Sequence, residues 1–311
     1  MNRRRFLTIT ATATATLALA SAAPLWAEVP HLRQWHGIAL GSAATIALDH
    51  PDADRLIGLA LSEIDRLEGI FSLYRPDSAL QRLNRDGRLD APPFELLDCL
   101  SLCGEVHRAS AGRFDPTVQP LWQTHAEAWS QGHAPPDSAA LGRARALTGW
   151  DAVSLQPDRI RFAKPGMALT LNGVAQGVIA DRVADLLRAE GLRDVLVDTG
   201  EIAARGKTPE GKDWPVSLTN GQRLTLGDRA LASSSPQGTV FDAAGLQGHI
   251  LDPATGLPVQ GRFDLVSISA GRAGLADALS TASCLMTDRA GVTALVGHFP
   301  GARVEALVPK V

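Results

Sequence analysis

Cysteine is scarce in this chain, with three among 311 residues. Cys99 and Cys103 lie four apart in a segment of helical spacing, and Cys284 stands alone. Helical neighbours at that spacing hold their Cβ atoms about 5–6 Å apart, farther than a relaxed disulfide allows. A disulfide framework and a cysteine metal site are therefore excluded, and the pair reads as small buried hydrophobes. After residue 27 no apolar run approaches the roughly 20 residues that span a bilayer. No basic stripe with interleaved aromatics appears and the formal net charge is −3, which excludes nucleic acid as a partner. No Gly-x-Ser-x-Gly step is present, so a hydrolase nucleophile elbow is excluded. Internal repeats and low-complexity segments are also missing from the mature region.

What is present begins with an export signal. Arg3-Arg4-Arg5 is followed by Phe6-Leu7, then by an apolar stretch from Ile9 to Ala23 rich in Ala, Thr and Leu. Ala27 supplies the small residue before a cut at Glu28. The paired arginines resemble a twin-arginine signal, which exports folded proteins; an ordinary secretory signal or an uncleaved anchor are the alternatives. No Cys follows the apolar stretch, so no lipid anchor is indicated. Residues 1–27 are expected to be the signal and 28–311 one soluble, periplasmic domain. Its composition, 45% hydrophobic and 20% charged over the full chain, is that of an ordinary globular enzyme.

Hydrophobic spacing predicts a strand over Trp35–Leu48 and helices over Ala53–Phe71, Ser78–Asn84 and Phe94–Ser110. Residues 130–138 read as a linker, followed by a helix over Ser138–Leu147. Short strands are expected at Val153–Leu155, Arg159–Phe162 and Ala168–Leu171, a helix at Gly177–Glu190 and a strand at Asp194–Asp198. Four more strands fall at 214–218, 222–226, 229–233 and 263–269. Helices over Leu275–Thr287 and Arg289–His298 complete the chain. Strands and helices interleave without a regular βαβ period, which favours α+β with mixed β-sheets and packed helices over a doubly wound fold.

Five polar segments carry the chemistry: Phe-Ser-Leu-Tyr-Arg-Pro-Asp-Ser at 71–78, Gly-Arg-Phe-Asp-Pro-Thr-Val at 112–118, Leu-Asn-Gly-Val-Ala-Gln-Gly at 171–177, Gly-His-Ile-Leu-Asp-Pro-Ala-Thr-Gly at 248–256 and Ala-Asp-Ala-Leu-Ser-Thr-Ala at 276–282. On a helix, Asp277 and Thr281 share one face. A carboxylate and a hydroxyl are hard donors suited to Mg²⁺ or Ca²⁺ rather than Zn²⁺, although a capping Asp on a solvated face is the plainer alternative. The 171–177 loop opens a helix whose unpaired amides favour phosphate; it is not Gly-x-Gly-x-x-Gly, so a nicotinamide fold is disfavoured. Tyr74, the chain's single tyrosine, either stacks on a flat ring or lids a local core. Asp115 either accepts from a ligand or makes an Asx turn before Pro116. Asp252 organises its Asp-Pro turn, while His249 is suited to binding phosphate or moving a proton near neutral pH.

All five segments, in this order, resemble the FAD:protein FMN transferases, the ApbE-like flavin transferases. The resemblance runs from about Leu40 to Thr281 and implies an ApbE-like fold. It further implies a metal site from Asp277, Thr281 and the backbone carbonyl of Gly173. By the same resemblance, Leu40, Tyr74, Arg113, Phe114, Asp115, Gln176 and His249 contact FAD, and Ser233 to Ser235 line the flavin pocket. The family has Asp, Gly and Lys or Glu where this chain has Thr170, Asn172 and Gln176, so the loop carries less charge here. The variant loop and the twin-arginine pattern look most like the NosX-type branch, linked to maturing a membrane flavoprotein. The implied reaction is Mg²⁺-dependent cleavage of the FAD pyrophosphate, FMN passing to a Thr or Ser of an acceptor flavoprotein (NosR-like) as AMP leaves. Asp277 and His249 are the candidates for the catalytic base. FAD hydrolysis and non-catalytic FAD carriage are the alternative activities.

Overall fold

The computed structural model describes residues 32–132 and 134–310; the expected signal at 1–27 lies outside them. Strands β1 (Arg33–Ala39), β2 (Ser42–Leu48), β6 (Val195–Asp198), β7 (Ile202–Arg205), β10 (Ala230–Ser234), β11 (Phe263–Ala270) and β12 (Arg303–Pro309) form one seven-stranded sheet in that spatial order. A three-stranded sheet contains β3 (Arg88–Asp90), β5 (Arg159–Phe162) and β4 (Val153–Gln156), and β8 (Trp214–Ser217) pairs with β9 (Arg223–Leu226). The α+β class therefore stands. Every described strand pairing is antiparallel, however, so the sheets are not mixed in strand direction.

Both faces of the large sheet are buried, and period-two alternation divides the residues between two cores. Ile46, Leu48, Val195, Val197 and Ala203 join the main core. Their neighbours Ala47, Leu196, Ile202 and Ala204 pack instead with Trp214, Val216 and Leu226 of the β8–β9 ribbon. The helices α1 (Ala53–Phe71), α3 (Phe94–Ala109), α6 (Ala175–Ala189), α7 (Ala273–Cys284) and α8 (Arg289–Gly297) cover the main-core side. On α1, Leu56, Ala60, Ile64, Leu67 and Phe71 form the buried stripe. Helix α2 (Ala79–Asp86) starts at Ser78, whose side chain accepts from the Gln81 N–H at 3.0 Å. Helices α4 (Gln119–Gly132) and α5 (Ser138–Ala146) form a satellite with its own small core.

Several expectations change. The single strand over 35–48 is a hairpin: Leu40 and Gly41 turn the chain at φ +47° and +81°, the two-residue turn that suits twisted strands. Ala168–Leu171 forms no strand, because the Asn84 side chain and the Pro116 carbonyl take backbone groups of the segment. Asn84 bonds both the Leu169 N–H (2.7 Å) and the Leu169 carbonyl (2.9 Å), and the Thr170 N–H donates to the Pro116 carbonyl at 2.8 Å. Part of the expected linker belongs to α4. The cysteines are free and buried, as expected.

Candidate active site

Two helices bring the candidate site together by backbone contact. A Cβ added at Gly177 of α6 would lie 2.3 Å from the Ala273 carbonyl oxygen and 2.7 Å from the Gly274 nitrogen of α7. Only glycine allows this approach. Asp181, one turn further along α6, secures it: Oδ2 accepts the Gly274 N–H at 3.0 Å and faces Arg272 Nε at 3.3 Å, while Oδ1 accepts from Arg205 of β7 at 3.1 Å. Asp181 and Arg205 are both buried.

Packed this way, the start of α6 meets the second turn of α7. The Gly177 N–H donates to Asp277 Oδ2 at 3.3 Å. At Gly173 an added Cβ would stand 2.8 Å from Thr281 Oγ1, so the loop backbone lies directly on that hydroxyl. Ser234, at the end of β10, hydrogen-bonds Ser280 Oγ (2.7 Å) and Thr281 Oγ1 (3.3 Å). Gln176 spans two turns: its Nε2 donates to Ser42 Oγ at 2.6 Å, and its backbone carbonyl accepts from Thr199 Oγ1 at 2.8 Å.

The site is acidic and buried. Asp277 has its pKa pushed up to about 8 by burial, against the opposing Gly177 N–H. Glu201 is driven well above the ordinary range, first by burial and then by the charge of Asp277; the Ser233 N–H, 3.1 Å away, opposes this. Burial raises Asp198 too, the Gly200 N–H opposing. For these three carboxylates the opposing groups are backbone amides, not cations. Glu201 and Asp198 were missed from sequence. The available signal was the Asp-Thr-Gly-Glu turn, 198–201, after the apolar strand Val195–Asp198.

The other expected contacts fall in three groups. Leu40 and Tyr74 are joined through α1: the Leu40 N–H donates to Glu68 at 2.8 Å, and Arg75, next to Tyr74, forms an ion pair with Glu68. Tyr74 is 41% exposed at its loop. Phe114 and Asp115 are buried, and the carboxylate of Asp115 is engaged internally. It accepts from Thr117 N–H (2.8 Å), Thr117 Oγ1 (2.6 Å) and Trp150 N–H (3.2 Å), so the Asx-turn reading describes its geometry. Arg113 donates to the Leu285 carbonyl at the end of α7 at 3.1 Å. His249 Nδ1 bonds the Thr239 carbonyl at 3.0 Å. Burial lowers its pKa, opposed by the Thr239 and Pro236 carbonyls.

A cavity of about 750 Å³ between α4 and α5 shares no lining residue with these groups. Among the described residues, no three or more His, Cys, Asp and Glu side chains are arranged to hold a metal ion. The oxygen donors near the start of α6 and on α7 are instead the Asp277 carboxylate and the Thr281 hydroxyl, with the Gly173 backbone close against that hydroxyl. Such hard oxygens fit Mg²⁺, which keeps waters and substrate phosphates in its shell, and they do not fit a thiophilic metal.

An antiparallel α+β scaffold carrying a buried carboxylate–hydroxyl cluster at paired helix turns defines the structural class. The sequence profile of the ApbE family matches residues 40–304, and the chain belongs to that family. The FAD:protein FMN transferase of Treponema pallidum is 31% identical over 285 residues, covering 80% of this chain and 76% of its own. That of Vibrio cholerae is 29% identical over 252 residues, 74% of each chain. Among solved structures, the apo flavinyl transferase ApbE of Pseudomonas stutzeri aligns with TM-score 0.76 at 26% identity, over 86% of this chain and 88% of its own. A histidine-to-glycine variant of the Vibrio cholerae flavin transferase ApbE aligns with TM-score 0.77 at 24% identity, over 86% of this chain and 91% of its own, a likeness of fold.

Proposed function

We propose that this protein is an Mg²⁺-dependent FAD:protein FMN transferase acting outside the cytoplasm. It is a transferase by family, and the observation that carries the finer reading is the meeting of Gly173, Asp277 and Thr281 across the α6–α7 contact. A cation bound there supplies charge neutralisation to the pyrophosphate oxygens. The positive end of α6 lies beside Asp277, to which its Gly177 N–H donates, and a helix N-terminus favours phosphate nearby. Gln176 and Ser42 tie the β1–β2 hairpin over this end of the sheet, bringing the turn at Leu40 and, through Glu68, the Tyr74 loop toward the flavin half of FAD.

In the reaction, a Ser or Thr hydroxyl oxygen of the acceptor attacks the phosphorus of the FMN half. The bond from that phosphorus to the bridging oxygen breaks, and AMP leaves with the oxygen. Such phosphoryl transfer needs in-line positioning and neutralised charge more than a protein nucleophile. His249 takes the hydroxyl proton in this reading: Nδ1 is tied to the Thr239 carbonyl, so Nε2 is the atom assigned. Its lowered pKa keeps it neutral and receptive at pH 7. Asp277 is the alternative base. The twin-arginine pattern at Arg3 to Leu7 supports export to the periplasm, with a NosR-like membrane flavoprotein as acceptor. No helix among the described residues is long and apolar enough to cross a membrane.

The test is mass spectrometry of an acceptor peptide incubated with the mature protein, FAD and Mg²⁺. The expected result is a gain of one FMN, abolished by EDTA, with AMP in the supernatant. Free FMN and AMP without labelling would mean an FAD hydrolase. Intact FAD after long incubation would mean a carrier, the reading that the uncharged Gln176 favours.

A further inference from the structure

We propose that His125, on α4, is the positioning residue for His249, holding both sides of the loop that carries it. This rests on the role given to His249 above. The loop from Pro236 to Val259 has two arms. In one, His249 N–H and Nδ1 both meet the Thr239 carbonyl at 3.0 Å, Val240 bridges to Gly248, and the Phe241 N–H donates to the Gln247 carbonyl at 2.8 Å. In the other, the turn at 252–256 closes through the Gly256 N–H to the Asp252 carbonyl at 2.7 Å, and Leu251 bridges to Pro258. His249 lies between the arms in sequence.

One imidazole grips both arms. His125 Nε2 donates to the Gly256 carbonyl at 2.8 Å, while its ring stacks on Phe241, centroids 5.3 Å apart and planes 22° from parallel. Trp122, one turn earlier, meets the same Phe241 at 5.5 Å. Gly256 sits hard against the satellite helices: an added Cβ would be 2.9 Å from Leu121 and 3.0 Å from Arg145. Leu121, Ala144 and Leu251 form the small core beneath, with Phe241 and Trp122 at its margin. His125 is 1% exposed and its Nδ1 is buried without a hydrogen-bond partner. An apolar side chain would suit that cavity better unless the Nε2–H bond to the loop were needed. The α4–α5 satellite thereby acquires a purpose: it is the rigid bed for a catalytic loop, as loops that carry reacting groups need.

Two variants separate the two grips. His125→Phe keeps the stack and loses the donor; His125→Gln keeps an amide donor and loses the ring. With each, kcat for FMN transfer is expected to fall about tenfold, the scale of a sub-ångström displacement of a reacting group, while KM for FAD changes less than about twofold. The ¹⁵N resonances of the His249 ring, identified by their loss in His249→Gln, are expected to move in the flavin-free protein. Wild-type kcat in folded variants would overturn the proposal, as would unmoved His249 resonances. Should either variant fail to fold, Phe241→Leu releases the stack from the loop side and is read by the same two measurements. The resonances require no flavin chemistry, so a wild-type protein that transfers no FMN would refute the proposed function while leaving the tether separately testable.

Discussion

At the scale of single residues, the buried carboxylate of Asp277 links stability to pH and holds the metal in the function proposed above. Its pKa is raised to about 8 in the fold, chiefly by burial, against about 3.9 for a free Asp. The native state then holds its proton more tightly than the unfolded state across that interval. Stability of the metal-free protein from this group is fully present below about pH 4 and lost as pH rises toward about 8. Asp277→Asn removes the charge that burial penalises. Thermal unfolding of metal-free protein should show the variant more stable than wild type at pH 8, with a flatter dependence between pH 5 and pH 8, while FMN transfer falls to background. A variant that keeps wild-type transfer would remove Asp277 from the site. That Tyr74 stands in a polar loop and that Asp277 and Thr281 share one helix were legible in the sequence, because loop composition and helical spacing are local. Glu201 was not, because the Asp-Thr-Gly-Glu turn marks a polar strand end without saying what it faces, and only the fold sets Glu201 against Asp277.

At the scale of elements, the α6–α7 contact is the structural core of the site. Gly177→Ala places a methyl group 2.3 Å from the Ala273 carbonyl oxygen, and overpacking of that kind costs about 1–3 kcal/mol. A lowered unfolding midpoint is expected with weakened Mg²⁺ stabilisation, since the displaced helix carries both Asp277 and Thr281. Gly173→Ala meets Thr281 at 2.8 Å and should lose the Mg²⁺ effect at a smaller cost in metal-free stability, because the loop moves more easily than a helix. Asp181→Ala tests the lock itself. It leaves the buried Arg205 guanidinium without its carboxylate, a loss of about 3–5 kcal/mol, measurable as a shift in denaturant midpoint. Retention of the wild-type midpoint would show that Arg205 finds another partner. The helices were readable from spacing, as with Leu56, Ala60, Ile64 and Leu67 on α1. Strand β7, Ile-Ala-Ala-Arg, was not, because burial on both sheet faces erases the polar alternation that marks a strand.

At the scale of the whole molecule, one core runs from Ala39 in the first hairpin to Val296 in α8, and sheet neighbours join β2 to β6 and β10 to β7 across long stretches of chain. Among the described residues, no terminal segment owns a separate large core. Calorimetry is therefore expected to show one main unfolding transition, displaced upward as a unit by FAD and Mg²⁺ together through mass action on the native state. Two well-separated transitions, only one of them responsive to ligand, would show that the α4–α5 satellite unfolds on its own.

By itself, the sequence determined the α+β class, most helix positions, the absence of disulfides and the oxygen-rich character of the site. These are local properties, written in spacing and residue chemistry. The tertiary structure decided that every described ladder is antiparallel, that Asp115 is engaged within its own turn, that Glu201 faces Asp277 and that His125 reaches the His249 loop from α4. Strand direction and the meeting of residues 100 positions apart, as in Gly177 against Asp277, depend on how buried faces share one core. That is a property of the closed chain, and no single window of sequence contains it.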